Sequence, residues 1–304
     1  MERKKDVGRL DIENPKPKWS KTVYLKDGKL MKTIHDGNFS PTPPSPPMPE
    51  TGPMFFEATQ ANSTVGMVST LDTSPNFEYS LDGETWQEWQ HTTADGTHTF
   101  DTITLGAIGD RVYFRGDNPN GLADYDSGFS STYVLTGAIN AGGNVMSLLD
   151  STMELTEVPD SGLTELFFSR GETPYHLLTT PDMSTITAIG YAGCNGMYFN
   201  CKSLTTAADM PLLTAVGVEG CGYMYDGCES LTTAADMPLL IAIGDGGFSD
   251  TYEGCTFDMS KDGETLNFDF PTPPVMAGEA TYADAYAIAE WMGNTNGFNY
   301  IRNE

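Results

Sequence analysis

The sequence predicts a mainly β protein built in series. An N-terminal hairpin arm leads to an antiparallel β-sandwich, then to a short solenoid of repeats with a C-terminal helical cap. Three observations carry that prediction. One stretch is written twice, as GMYFNCKSLTTAADMPLL at 196–213 and YMYDGCESLTTAADMPLL at 223–240, so that Cys201 falls on Cys228 and Pro211 on Pro238, 27 residues on. Short runs of alternating apolar and polar residues fill 54–143 between turn residues. Glycine, threonine, serine, asparagine and aspartate are abundant, and segments of helical periodicity are few. A fixed period of about 20–50 residues marks stacked repeats, and period-2 alternation marks strands with one buried face.

The elements divide the 304 residues into an arm (1–40), a linker (41–53), a sandwich (54–143), repeats (144–271) and a cap (272–304). In the arm, two β-prone runs at 22–25 and 30–34 flank Asp27-Gly28, and Asp-Gly between alternating apolar residues is a hairpin signal. A lone hairpin is marginal in water, so it calls for a partner surface or copies of itself. The linker SPTPPSPPMPETGP holds seven prolines and reads as an extended polyproline spacer. It lacks the basic anchor expected of a PxxP ligand.

Seven runs follow: MFFEATQ, VGMVST, NFEYSL, TWQEWQ, TFDTITL, RVYFRG and TYVLTG. Seven short strands over about 90 residues fit a two-sheet sandwich. Arg115-Gly116-Asp117 spells a cell-adhesion tripeptide, which an acidic, glycine-rich chain produces readily by chance. Asp117, Asp124 and Asp126 crowd one loop where Ca²⁺ is conceivable, but the spacing of a calcium loop ending in a bidentate Glu is missing, so a solvated acidic loop is expected.

The repeat phrase ending in Met-Pro recurs in weaker copies that end at Pro159, Ser184 and Pro271, the last after a six-residue insertion, making five turns. Each SLTTAADMP phrase reads as a short strand, with a looped return through TAVG or IAIG. Leu204, Leu231 and Leu266 are expected in one column, and Met210, Met237 and Phe270 in another. All five cysteines (194, 201, 221, 228 and 255) lie here. Phe248 occupies a cysteine slot, so the slot favours a small or apolar buried group, and a column of buried free thiols is expected. Disulfides and a metal site are the alternatives, and no histidine accompanies the cysteines. In the cap, Thr281 to Asp284 opens a helix, with Ala285, Ile288, Ala289 and Met292 on one face and Gly293 as its stop.

Charge is segregated. The net charge is −26, yet residues 1–36 hold ten basic residues against six acidic, which leaves six basic and 36 acidic residues in the rest. An acidic body repels nucleic acid and anionic membranes, so neither is expected as a partner. No apolar run approaches a membrane span, and no signal peptide is read at the N-terminus. No catalytic constellation is visible. A glycan hydrolase would need two carboxylates held about 5–10 Å apart in a cleft, so the chain reads as a non-enzyme with no cofactor and no metal.

The pattern C-x-SLTTA-x-x-MP-x-L, with GCGYMYDGC before it, resembles the BspA-like leucine-rich repeats. YSLDGETW, GDRVYFRG and GNVMSLLD resemble the immunoglobulin- or fibronectin-like module that precedes such repeats in surface proteins of gut bacteria and in phage virion proteins. The resemblance covers about 54–271 and omits 1–53. It implies a leucine-rich-repeat solenoid and a role in adhesion or display. With the missing signal and the basic arm, the expectation is a bacteriophage structural protein made in the host cytoplasm and carried on the virion surface, as a head fibre, capsid decoration or tail component. Lys4, Lys5, Arg9, Lys16, Lys18, Trp19, Lys21 and Tyr24 would anchor it to a capsid or other virion protein. Partners would be a host-surface glycan or protein and further copies of the chain, as a trimer or dimer. A bacterial cell-surface adhesin of the same family is the alternative.

Overall fold

The computed structural model describes residues 20–24, 30–35, 52–169 and 275–276, together with 176–255 apart from 233, 234, 236, 238, 241 and 245. The chain divides into two compact units, 1–48 and 49–304. It is mainly β, and the one helix among the described residues is a single 3-10 turn, Val145–Leu148.

In the first unit, β1 (Ser20–Tyr24) and β2 (Leu30–His35) pair antiparallel, with Ser20 opposite His35. The predicted hairpin is present, and its Asp27-Gly28 turn lies outside the described residues.

In the second unit, eleven strands come first: β3 (Phe55–Ala58), β4 (Ser63–Ser69), β5 (Phe77–Ser80), β6 (Gln87–Glu88), β7 (His91–Ala94), β8 (Thr97–Phe100), β9 (Ile103–Leu105), β10 (Arg111–Gly116), β11 (Ala123–Asp124), β12 (Phe129–Thr136) and β13 (Ala138–Gly142). Then come β14 (Glu157–Val158), β15 (His176–Thr179), β16 (Ala188–Ile189), β17 (Ala215–Val216), β18 (Ala242–Ile243) and β19 (Val275–Met276). One sheet runs β15-β13-β3-β10-β5-β6, and the other runs β11-β12-β4-β8-β7 with β9 also on β4. Their inner faces meet through aromatic rings: Phe56 and Phe114 of one sheet lie 4.9 and 5.6 Å from Tyr133 of the other. The chain crosses between sheets at Gly137, whose φ of 76° and closeness to Ser63 Oγ leave no room for a side chain.

The run TFDTITL is two strands, not one. Asp101 breaks it, because its N–H donates to Gln90 O and its carbonyl accepts from Trp89 Nε1. The short strand β7 has no alternation to betray it, since all four residues are exposed. The edge strand β15 comes from the repeat region and pairs parallel with β13.

The remaining strands, β14, β16, β17, β18 and β19, form one parallel ladder. Ala188 pairs with Ala215 and Ala215 with Ala242, each a 27-residue step; the step from Ala242 to Val275 is longer by the six inserted residues. The strand in each repeat is the TAV or IAI segment, not SLTTAADMP, which corrects the expectation. The alternation explains it: Val158, Ile189, Val216 and Ile243 point inward and the alanines between them outward. It also resets the first turn, where Val158 aligns with Ile189, so Pro159 does not match Pro211. Leu204 and Leu231 are fully buried, as are Met210 and Met237 nearly so. Leu266, Phe270 and the predicted helix at 281–292 lie outside the described residues.

After each strand the chain makes an arc of overlapping turns. Alternate N–H groups donate to the next arc, as from Cys194 to Gly220 O and from Tyr198 to Met224 O, while those between close turns within their own arc, as from Asn195 to Ala192 O. The two sets of bonds together occupy successive backbone N–H groups along each arc. A glycine recurs at 162, 193, 220 and 247 because a Cβ there would come within 2.7–2.8 Å of the inward branched residue of its own strand.

The arcs and the sandwich share a single core. Leu122 N–H donates to Gly162 O and Tyr133 N–H to Leu166 O, so β12 and the residue leading into β11 cover the open face of the first arc. A ring column runs through the joint: Tyr133, Phe167, Tyr198, Tyr225 and Tyr252 stack at 5.6, 5.2, 5.1 and 5.4 Å.

Candidate functional site

Of the residues expected to anchor the arm, Lys21 and Tyr24 lie in β1; Lys4, Lys5, Arg9, Lys16, Lys18 and Trp19 lie outside the described residues. The adhesion tripeptide and the three aspartates lie between the end of β10 and the start of β12, in the strand ends and the loops that join them.

The adhesion tripeptide is not a free loop. Arg115 is inside β10, where its guanidinium pairs with Glu78 at 2.7 Å and lies 4.2 Å over the Trp86 ring. Gly116 pairs with Phe77, and a Cβ there would meet Asn76 O at 2.3 Å. The strand has therefore consumed two of the three residues.

The three aspartates of the neighbouring loop turn to different partners. Asp117 accepts from the N–H and hydroxyl of Ser151, Asp124 from Ser127 N–H, and Asp126 from the Tyr191 hydroxyl at 2.8 Å. Among the described residues no group of three metal-binding side chains converges.

These loops wall a groove of about 490 Å³ lined by Asp72, Asn76, Asp117, Asn120, Asp124 and Phe129, among others. Its two walls are clamped by Asn118, which accepts from Asn76 N–H and donates to the carbonyls of Asn76 and Leu148. His98 holds the far side of one wall, with its Nε2 at 3.0 Å from Leu71 O and its Nδ1 at 2.8 Å from Thr93 Oγ1. Since the carbonyl can only accept, Nε2 donates in that contact. The groove was not legible in the sequence, because its walls come from residues 71–76 and 117–124, and only folding brings them together.

The cysteines form columns of free thiols, as expected. Cys194 and Cys221 lie in one column between Leu163 and Phe248, all fully buried. In the other, Cys201, Cys228 and Cys255 donate to Phe167 O, Tyr198 O and Tyr225 O at 3.1–3.2 Å, each to the arc before it. Burial pushes every thiol up, Cys255 to about 12 and the four others further. Thiols held protonated are poor nucleophiles, and their role here is packing.

No family model matches the chain, and neither the curated proteins nor the solved structures yield a match.

Proposed function

We propose that the chain is a structural display protein of a bacteriophage virion, serving as a head fibre, capsid decoration or tail component. Residues 1–40 hold it to the particle, the proline-rich linker spaces it away, and the body meets a host-surface glycan or protein. On this reading the parallel stack is a short leucine-rich-repeat solenoid behind an immunoglobulin-like sandwich, and the chain is not an enzyme. The observation that carries the reading is the segregation of charge: a basic arm before a proline spacer, ahead of a strongly acidic body. A body whose repeats, arcs and sandwich share one core suits rigid presentation. The groove between Asp72, Asn76, Asp124 and Phe129 is the concave surface a host ligand would enter.

The test is deletion of residues 1–40. The truncated chain should fold with unchanged unfolding behaviour and fail to join particles assembled in its presence. Incorporation of the truncated chain would refute the anchoring role. Surface labelling of producer cells without phage induction would favour the adhesin reading, which the repeat phrase alone also supports.

A further inference from the structure

The two sheets of the sandwich turn different outer faces to solvent. On the sheet that contains β3, β10 and β5, outward side chains are charged and paired across strands: Arg111 with Glu57 and Arg115 with Glu78. On the other sheet, β4, β7, β8, β9 and β12 hold no lysine, arginine, aspartate or glutamate. Their inward residues include Val65, Met67, Phe100, Tyr133 and Leu135, all buried. Their outward positions are mostly threonine and valine, and the register sets these in rows. Thr136 lies beside Thr64 and Thr64 beside Thr104, and Val68 lies beside Thr99. Thr99, Thr104 and Thr136 are exposed. The chain beyond residue 36 carries six basic and 36 acidic residues, so an uncharged face of this extent stands apart from the surface around it.

The relief of this face is specific. Val134 protrudes from it, 46 % exposed. Directly opposite, across the β12–β4 ladder, is Gly66. Glycine inside a strand weakens the strand and often marks a place where another chain comes close. The fold of this chain does not require it. A Cβ on Gly66 would meet Thr102 Oγ1 at 3.5 Å and Val134 Cβ at 4.0 Å, both ordinary contacts, and the φ of Gly66 is not left-handed. A knob and a dimple therefore lie side by side. Thr64 and Thr136 hydrogen-bond each other, Oγ1 to Oγ1 at 2.6 Å, which lowers the cost of taking their hydroxyls out of water. A surface with a knob beside a dimple is complementary to itself. A two-fold axis between two such faces seats each Val134 over the Gly66 of the other copy, an isologous contact of the kind found in most homodimers. Charge points the same way. At a net charge of −26, two copies repel over most of their surfaces, and on this face they meet without opposing carboxylates.

We propose that the outer face of β12, β4, β8 and β9, centred on Val134 and Gly66, pairs with the same face of a second copy of this chain. Such pairing does not depend on where the chain is displayed. The full chain, sedimented across about 1–100 μM, should shift from one chain mass to two. Added salt should strengthen the dimer, because it screens the repulsion between acidic bodies. Val134→Glu should weaken the dimer at least about a hundredfold, since each copy would bury an unpaired carboxylate. Gly66→Ala should weaken it roughly five- to 150-fold by filling the dimple. At a concentration where the chain is monomeric, Gly66→Ala should leave the melting temperature unchanged or higher, because alanine suits a strand interior better than glycine. That pairing of readouts separates the interface from the fold. A full chain that stays at one chain mass through the whole range, in high salt as in low, overturns the proposal. So does a dimer that survives either substitution, since it would lie on another surface. A species of three chain masses overturns it as well, because a face paired with itself cannot build one. If Gly66→Ala lowers the melting temperature of the monomer, the glycine serves the fold and the proposal falls.

Discussion

Two tyrosines in the buried ring column make opposite predictions for the same one-atom change. Tyr133 and Tyr225 are both fully buried, and burial holds both hydroxyls protonated, well above the ordinary tyrosine pKa. The Tyr225 oxygen accepts from the buried Ala208 N–H at 3.1 Å. Among the described residues the Tyr133 hydroxyl has no hydrogen-bond partner. Tyr225→Phe strands the Ala208 N–H, and an unsatisfied buried donor costs about 1–3 kcal/mol. Tyr133→Phe removes a hydroxyl desolvated without compensation, so it should stabilise by about 1 kcal/mol. Ring stacking is kept in both, so it cancels in the comparison. Urea unfolding followed by tryptophan fluorescence is a suitable assay, because Trp89 lies 6.1 Å from the Tyr133 ring. With a slope of about 3 kcal/mol/M, Tyr133→Phe should move the midpoint up by about 0.3 M and Tyr225→Phe down by about 0.3–1 M. Shifts of the same sign in both variants, or a lowered midpoint for Tyr133→Phe, would refute the reasoning.

Other consequences follow from the stack. Gly220→Ala sets a Cβ 2.7 Å from Val216 Cγ1 and should cost about 1–3 kcal/mol; combined with Val216→Ala it should cost less than the sum, and additive unfolding energies would show the contact is not the cause. Asp226 is raised to about 6, first by burial, then by Glu253 and Asp250. A carboxyl that binds its proton more tightly when folded adds stability below about pH 4 and loses it as pH rises through about 6. Asp226→Asn should therefore flatten that fall and raise the pH 7 midpoint, by about 1 kcal/mol once solvent screening at this half-buried site is allowed for; an unchanged pH profile counts against it. The thiols should resist a thiol reagent in the native chain, with Cys255 the first of the five to react and all five reacting in denaturant; rapid native labelling of Cys201 or Cys228 would contradict their burial.

The parts legible beforehand share one property: they depend on residues close in sequence. The 27-residue offset, the inserted six residues and the hairpin at β1–β2 are written in local spacing, and strand pairing preserves that spacing. The error in placing the strand within each repeat has the same origin. SLTTAADMP is the most repeated phrase, but repetition marks equivalent positions and does not say which of them pair; the inward branched residues of TAV and IAI decide that. The groove, the capping of the first arc by β12 and the insertion of β15 into the sandwich sheet all join segments far apart in the chain. Nothing in the local pattern distinguishes such residues from ordinary loop residues.

The sequence by itself thus determined the class, mainly β, the repeat period and the buried character of its cysteine columns, because periodic apolar residues must stack to leave water. Only the tertiary structure decided that sandwich and repeats are one body. The Tyr133 ring continues the column of Phe167, Tyr198, Tyr225 and Tyr252, so the first arc is closed by a strand and not by solvent. It also decided which outward side chains are costly to hold, since a left-handed backbone at Tyr223 or Glu219 appears only once the arcs have formed.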